Sequence, residues 1–412
     1  MIRTLQPYED VVGPIVISQL RQFARDLAGA RVVHVNSTRV GGGVAEILAW
    51  LIPLMRDLGI DASWEVIEGN EPFFHVTKSF HNGLQGVAAP LTNRMIETYE
   101  QTVAANAERL RSTLEDADFV FIHDPQPARL LELCPNRKGK WIWRCHIDAS
   151  HPYRKIWKYL QGKVQGYDAS IFSMPEFAQP LPHPQFLIAP SIDPLSEKNC
   201  PISAHEIAST LQRYEIPDDR PLLTQVSRFD RFKDPIGVIE AFKLLSEVID
   251  AQLLLAGGGA TDDPEGAAVL EEVEDAAQGD PRIQILLLPG DAHRTINALQ
   301  RASTLVLQKS LQEGFGLTVT EAMWKGKPVI GGNVGGIRLQ VHNYHTGFLV
   351  NTPEGAALRM RELLRRPELI KRMGDTARGF VKDNFLLTRH LREYLTLMLA
   401  LRRGMADHLF AA

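Results

Sequence analysis

The feature that most restricts the fold of this chain is an alternation that runs through it twice. From Ala30 onward, short β-branched runs alternate with longer amphipathic ones: "ARVVHVNS", then "VAEILAWLIPLMRDLG", then "ASWEVIEG". A strand covered on both faces reads as a nearly unbroken apolar run, and a helix lying over it shows a period of 3.6. Parallel strands need a long crossover between them, so this grammar specifies βαβ units. Further buried strands are expected at "DFVFIHDP", "KWIWRCHID", "ASIFSM" and "QFLIAP", after which "APSIDPLSEKNCP" interrupts the pattern with three prolines. The alternation then restarts through "PLLTQVSRFD", "PIGVIEAFKLLSEV", "AQLLLAGGG", "IQILLLPG", "TLVLQ", "KPVIGG" and "GFLV". The expectation is an α/β protein of two Rossmann-like, doubly wound domains, residues 1–190 and 191–387, with a cleft available between them. No internal repeat is visible between the halves.

The final segment, about 388–412, carries apolar residues at Leu387, Leu391, Leu395, Met398 and Met405, close to helical spacing. Its arginines permit a membrane-surface reading. An amphipathic helix packing back onto the body of the protein is the simpler one.

Length and composition narrow the function. A chain of 412 residues exceeds one ordinary hydrophobic core. A net charge of −4 argues against a broad surface for nucleic acid or anionic membrane, so any cationic site must be local. Cys134, Cys145 and Cys200 show neither disulfide nor metal-ligand spacing and read as buried thiols of a reducing compartment. The first residues lack an apolar h-region, and no stretch approaches the roughly 18 apolar residues of a membrane span. A cytoplasmic location is expected.

Chemistry concentrates at strand ends. "LQEGFGLTVTEAMWKG" places Glu313 in a glycine-flanked loop and Glu321 about one turn inside a helix that starts at Leu317 and stops at Gly326. A helix start offers unpaired N–H groups and positive dipole charge, which suit an anion. Gly314 and Gly316 let a phosphate approach the backbone, and the two carboxylates can accept hydroxyls on either side of it. A nucleotide sugar, with a hexose and a ribose flanking a diphosphate, has that shape. Acids near a helix N-terminus also stabilise the helix by about 0.3–1 kcal/mol without any ligand; that suffices for Glu321 alone and poorly explains the pair. In "SRFDRFKDP", Arg228 and Lys233 follow a strand, and together could neutralise a leaving diphosphate. Alone they would read as solvated surface.

In the first half, Gly41, Gly42 and Gly43 follow the first strand without G-x-G-x-x-G spacing, so they carry only a weak phosphate signal. His123 and Asp124, and then His146, Asp148 and His151, stand at strand ends where a second, acceptor molecule would bind. Neither H-E-x-x-H nor G-x-S-x-G is present, which argues against a zinc centre and a serine hydrolase.

Taken together these motifs resemble the retaining glycosyltransferases of family 4, with the GT-B fold, whose paired-glutamate motif matches Glu313 and Glu321 with seven residues between. "SRFDRFKDP" is similar to that family's basic pair and "GGNVGGI" to its glycine-rich strand end. More narrowly, "HVNSTRVGGGVAEIL", "VTKSFHNGLQG", "PSIDPLSEKN" and "QVSRF" resemble the trehalose glycosyltransferring synthases, with fungal-type trehalose phosphorylases more distant. The resemblance implies that Glu313 and the backbone of Gly314, Phe315 and Gly316, with Leu317 and Thr318 at the helix start, hold the donor's glucose. It further implies that Glu321 binds the ribose, Arg228 and Lys233 the diphosphate, and Gly42 and Gly43 the phosphate. His146 would lie close to the transferred sugar, Asp124 and Asp148 would serve the acceptor, and the terminal helix would cross back to the N-terminal domain. The implied activity joins glucose from a nucleoside diphosphate glucose (ADP- or UDP-glucose) to free glucose, giving α,α-trehalose with retention and in either direction. A phosphorylase working on glucose 1-phosphate and a non-catalytic sugar-nucleotide-binding protein are the competing readings. No D-x-D motif marks a required metal, although a diphosphate donor can carry magnesium. Self-association into a homo-oligomer is compatible with the sequence.

Overall fold

The computed structural model describes residues 3–40, 42–258 and 264–405. The chain forms two compact units, one holding it up to Pro190 and again from Leu387, the other holding Ser191–Leu386.

The first unit is built on six parallel strands: β1 (Arg31–Asn36), β2 (Asp61–Val66), β3 (Phe119–His123), β4 (Lys140–Arg144), β5 (Ala169–Phe172) and β6 (Gln185–Leu187). They lie in the order β2-β1-β3-β4-β5-β6. Every residue of β3 and β5 is buried, which is why these strands read as continuous apolar runs, whereas the edge strands β2 and β6 are only partly covered. The chain winds outward from β1 to β2, then crosses to β3 on the other side, so the winding direction reverses between β1 and β3.

The helix Leu387–Arg402 belongs to this unit and packs on the helices Pro14–Arg25 and Gly42–Asp57. Leu387, Leu391, Leu395 and Met398 form its buried stripe. Met405 does not continue it: Gly404, at φ +63°, follows the helix end in the left-handed conformation that terminates helices, and Met405 is half exposed. Residues 406–412 of the expected segment lie outside the described residues. Arg389 is buried and its guanidinium donates to the carbonyls of Ala189 (3.0 Å) and Pro190 (2.9 Å), tying the returning helix to the point where the chain leaves the unit.

The second unit repeats the layer plan with a different order. Its strands are β7 (Leu222–Val226), β8 (Gln252–Gly258), β9 (Ile283–Leu288), β10 (Leu305–Gln308), β11 (Val329–Gly332) and β12 (Gly347–Val350), again all parallel. They run β12-β11-β10-β7-β8-β9, the Rossmann arrangement, with the reversal between β7 and β10. One face is filled by the helices Pro235–Ser246 and Pro353–Leu364, whose Phe242, Leu245, Met360 and Leu363 join Leu253, Leu255 and Leu307 in one core. The fold class is GT-B: two doubly wound α/β domains. Among the described residues, no helix is long and apolar enough to cross a membrane.

Candidate functional site

In an open parallel sheet, ligands bind beyond the carboxyl ends of the strands where the winding reverses. In the second unit that place is set by β7 and β10, which pair at Leu223–Leu305 and Thr224–Val306. The loop after β7 carries Arg228 and Lys233, and the loop after β10 carries Glu313. Lys233 Nζ donates to Glu313 Oε2 at 2.6 Å, with both side chains largely covered. A charge-assisted hydrogen bond of this length ties the two loops together. A second ion pair, Lys309 with Asp234, does so again.

Buried amides hold these loops. Gln225, in β7, donates to the Lys233 carbonyl (2.8 Å) and to Ser227 Oγ (3.2 Å). Asp234 adopts φ +50° and caps the Pro235–Ser246 helix through Gly237 N–H. Gln308, at the end of β10, donates to Ser310 Oγ (3.0 Å) and accepts from Thr318 Oγ1 (3.1 Å), while Ser310 Oγ reaches Glu313 Oε2 at 3.4 Å. Arg228 stands differently: its side chain is 71% exposed and its guanidinium pairs with Asp230 at 3.3 Å. The structure joins Lys233 to Glu313 and leaves Arg228 on the rim of the same loop.

The helix Leu317–Trp324 starts at Gly316, whose φ of +84° is one that L side chains rarely adopt, and no side chain caps it. Gln340 pins this start by donating from Nε2 to the carbonyls of Phe315 (2.6 Å) and Gly336 (3.2 Å) while accepting from Thr320 Oγ1 (2.6 Å). The Phe315 ring is buried against Phe385, so this residue can offer a ligand only its backbone. Leu317 and Thr318 are half-buried. Glu321 is buried one turn inside the helix. Lys325 closes the helix, its Nζ donating to the Glu321 carbonyl (3.1 Å) and to Asn199 Oδ1 (3.0 Å). Burial pushes the Lys325 ammonium down to about 7, against the opposing pull of the Glu321 carboxylate.

The glycine-rich end of β11 explains how the Glu313 loop fits. A Cβ at Gly332 would fall 2.1 Å from the Ser310 carbonyl oxygen, and one at Gly336 2.5 Å from Phe315 Cα. Gly257 gives the other loop the same clearance, with the Ser227 carbonyl oxygen 1.8 Å from where its Cβ would be.

In the first unit the reversal lies between β1 and β3. Beyond β1, Gly42 begins the Gly42–Asp57 helix at φ +79° and is exposed, and Gly43 is half-buried. Gly41 lies outside the described residues. Beyond β3, Asp124 takes φ +65°, and its Oδ1 accepts the His146 N–H at 2.7 Å, which brings Asp124 and His146 together as a unit. Burial pushes the Asp124 carboxyl up to about 7, against that N–H and the Arg144 guanidinium. His146 Nε2 lies 2.9 Å from His123 Nδ1. Asp148 is occupied locally, its Oδ1 accepting from Ser150 N–H (3.0 Å) and Oγ (2.6 Å); among the described residues no hydrogen bond joins it to Asp124 or His146. Nor do the described residues hold a group of three or more His, Cys, Asp or Glu arranged for a metal ion.

Sequence reasoning missed the residues that hold the loops: Gln225, Gln308, Gln340, Lys309 and Asp234. Only Gln225 and Gln308 left a signal, an amide near the end of a largely apolar strand in "LLTQV" and "LVLQ".

Comparison with known proteins agrees with this architecture. Residues 34–179 match the family "Trehalose synthase, N-terminal domain" and residues 207–380 match "Glycosyl transferases group 1". The chain is 46% identical to a trehalose synthase of Pyrococcus horikoshii over 401 residues, 96% of each protein. It is 41% identical to a trehalose synthase of Rubrobacter xylanophilus, again over 96% of both. A trehalose phosphorylase of Pleurotus pulmonarius is 28% identical along 98% of this chain, which spans 62% of that longer protein. Among solved structures, a UDP-forming α,α-trehalose-phosphate synthase from Burkholderia xenovorans superposes with a TM-score of 0.72 at 12% identity, covering 90% of this chain and 100% of that one, a likeness of fold. With the two reversal points, the joined loops and near full-length identity above 40% all in agreement, the chain belongs to the trehalose synthase family of GT-B glycosyltransferases.

Proposed function

We propose that this protein transfers glucose from a nucleoside diphosphate glucose, ADP- or UDP-glucose, to the anomeric hydroxyl of free glucose, forming α,α-trehalose with retention of configuration. The observation that carries the reading is the Lys233–Glu313 pair at the β7/β10 reversal, beside a helix start that no side chain caps. A cation and unpaired amides gathered there suit a diphosphate, and a carboxylate within hydrogen-bond reach of that cation suits the hydroxyls of the sugar it carries. On binding, Lys233 turns from Glu313 to the phosphate, and Glu313 accepts sugar hydroxyls. Arg228, exposed at the rim, joins Lys233 on the diphosphate. Glu321 accepts the ribose hydroxyls. In the first unit, Gly42 and Gly43 offer backbone to phosphate, His146 serves the transferred sugar, and Asp124, with Asp148, the acceptor.

The chemistry follows from where charge develops. As the glycosidic bond to phosphate breaks, negative charge grows on the leaving diphosphate, and Lys233, Arg228 and the helix amides stabilise it more than they stabilise the ground state. The departing phosphate oxygen takes the proton of the acceptor hydroxyl, which attacks from the same face. No protein nucleophile is needed, unlike the two-carboxylate retaining hydrolases. Magnesium carried in with the donor would add positive charge at the leaving diphosphate, in the same sense as Lys233 and Arg228.

Likeness to trehalose phosphorylases keeps one alternative in view, with inorganic phosphate in the same cationic pocket. The deciding experiment incubates purified protein with a panel of nucleoside diphosphate glucoses, or glucose 1-phosphate, plus glucose, and reads linkage and anomers by NMR. α,α-Trehalose from a nucleotide sugar, lost in Glu321→Ala, supports the proposal. Trehalose from glucose 1-phosphate that survives Glu321→Ala supports the phosphorylase. No glucosyl product from any donor would leave a binding protein.

A further inference from the structure

Three imidazoles run in line through the first unit. His34 Nδ1, in β1, lies 3.0 Å from Nε2 of His123 at the end of β3, and His123 Nδ1 lies 2.9 Å from Nε2 of His146 beyond β4. His34 is fully buried, stacked on Phe121 with centroids 4.6 Å apart and on Tyr394 at 6.0 Å. Burial keeps all three rings neutral, holding His34 down to about 3 and His123 and His146 well below the usual histidine range. The Arg144 guanidinium pushes His123 and His146 the same way, and His390 adds to the effect on His146.

A neutral imidazole carries one N–H and one bare nitrogen. Each of the two nitrogen–nitrogen contacts needs one donor and one acceptor, so the single proton of His123 fixes both neighbours. If it sits on Nδ1, it is donated to His146 Nε2; His34 then donates from Nδ1 to His123, and His146 must carry its own proton on Nδ1. If it sits on Nε2, every bond reverses and His34 carries an N–H at Nε2. That atom is buried with no hydrogen-bond partner among the described residues. A buried N–H without an acceptor is among the rarest defects in folded proteins, so the first arrangement prevails.

We infer that His34 and His123 are positioning residues that lock His146 in the Nδ1–H tautomer, so that it presents a hydrogen-bond donor to a hydroxyl of the transferred sugar. The last clause rests on the function proposed above; the tautomer lock does not. The polarity of the whole relay is set at its far end, by one buried nitrogen with no acceptor for a proton.

The test uses full-length protein labelled with [15N]histidine and two-bond proton–nitrogen correlation spectra, with His146 assigned by its loss in His146→Gln. In the wild type, His146 should show a protonated Nδ1. In His34→Asp, whose carboxylate can only accept from His123 Nε2, it should move to predominantly Nε2–H, while the isosteric His34→Asn, whose amide can donate to His123 from the place of Nδ1, should retain Nδ1–H. With nucleotide sugar and glucose, kcat should fall about tenfold in His34→Asp and recover in His34→Asn, with donor KM little changed. Nε2–H at His146 in the wild type, or an unmoved tautomer in His34→Asp, overturns the lock. Should His34→Asp fail to fold, the wild-type and His34→Asn spectra still decide. The expected tautomers without any glucosyl product would uphold the lock and sink only the functional reading.

Discussion

A methyl group on Gly335 would fall 1.7 Å from the carbonyl oxygen of Glu313. Gly335 also sits at φ +42°. The loop that carries the glutamate therefore rests directly on the backbone that follows β11, and the position of Glu313 depends on a residue with no side chain.

Gly335→Ala should accordingly displace that loop. A shift of about 1 Å in a positioned group can cost about 100-fold in rate, and the strained backbone adds about 1–3 kcal/mol of destabilisation. Steady-state kinetics with nucleotide sugar and glucose, with urea unfolding alongside, would show both. Unchanged kinetics would mean that the loop is not fixed by this contact.

Lys233 and Arg228 should behave unlike each other. Lys233→Met removes the partner of a largely covered carboxylate. It should lower kcat by about 10²–10³-fold and destabilise the protein by about 1–3 kcal/mol. Arg228→Met removes an exposed head group, so the thermal midpoint should stay where it is while donor KM rises. Rates for both variants, set beside calorimetry, separate the two roles.

Gln340→Leu keeps the volume roughly and deletes the donor to the Phe315 and Gly336 carbonyls, stranding Thr320 Oγ1 as well. A loss of about 2–3 kcal/mol is expected from groups left buried and unpaired. Donor binding, measured by calorimetry with the nucleoside diphosphate, should weaken because the helix start loses its anchor. Gln340→Glu should rescue neither property, since a carboxylate cannot donate.

Asp124 gives a pH signature. Its folded value, pushed up to about 7 by burial, lies above the unfolded value of about 3.9. Between those two values the folded state binds more protons, so stability attributable to this group falls as pH rises from about 4 to about 7 and is level beyond. Asp124→Asn tolerates the positive φ and still accepts the His146 N–H, but cannot titrate. Urea unfolding of both proteins at several pH values should show the variant gaining on the wild type across that window. A constant difference would contradict the raised value.

The strands were legible in the sequence because they lie inside parallel sheets: covered on both faces, "DFVFIHDP" and "ASIFSM" could be little else. Strand order was not legible. Nothing local in the connecting helices says whether the third strand of a unit returns beside the first or continues past the second, and the two sheets differ in this respect. Glu313 stood out as charge beside glycine at a strand end and Lys233 as one of two cations on the loop after a strand, and the fold put them 2.6 Å apart. Gln340 gave no such sign. An amide acts on whichever carbonyls the fold brings to it, and those of Phe315 and Gly336 arrive from separate loops. His34 was hidden for a related reason: its role arises only once three strands align their rings. The helical period carried the eye to Met405, where Gly404 had already ended the helix.

The return of the Leu387–Arg402 helix to the first unit has a consequence for biosynthesis. Tyr394 from that helix stacks on His34, so this side of the first sheet stays uncovered until a ribosome has made all of the intervening Ser191–Leu386 segment. The segment Ser191–Leu386, which contains all of its own strands, is free to condense first. Folding then runs against the order of synthesis, because the first-made unit is completed only after the second.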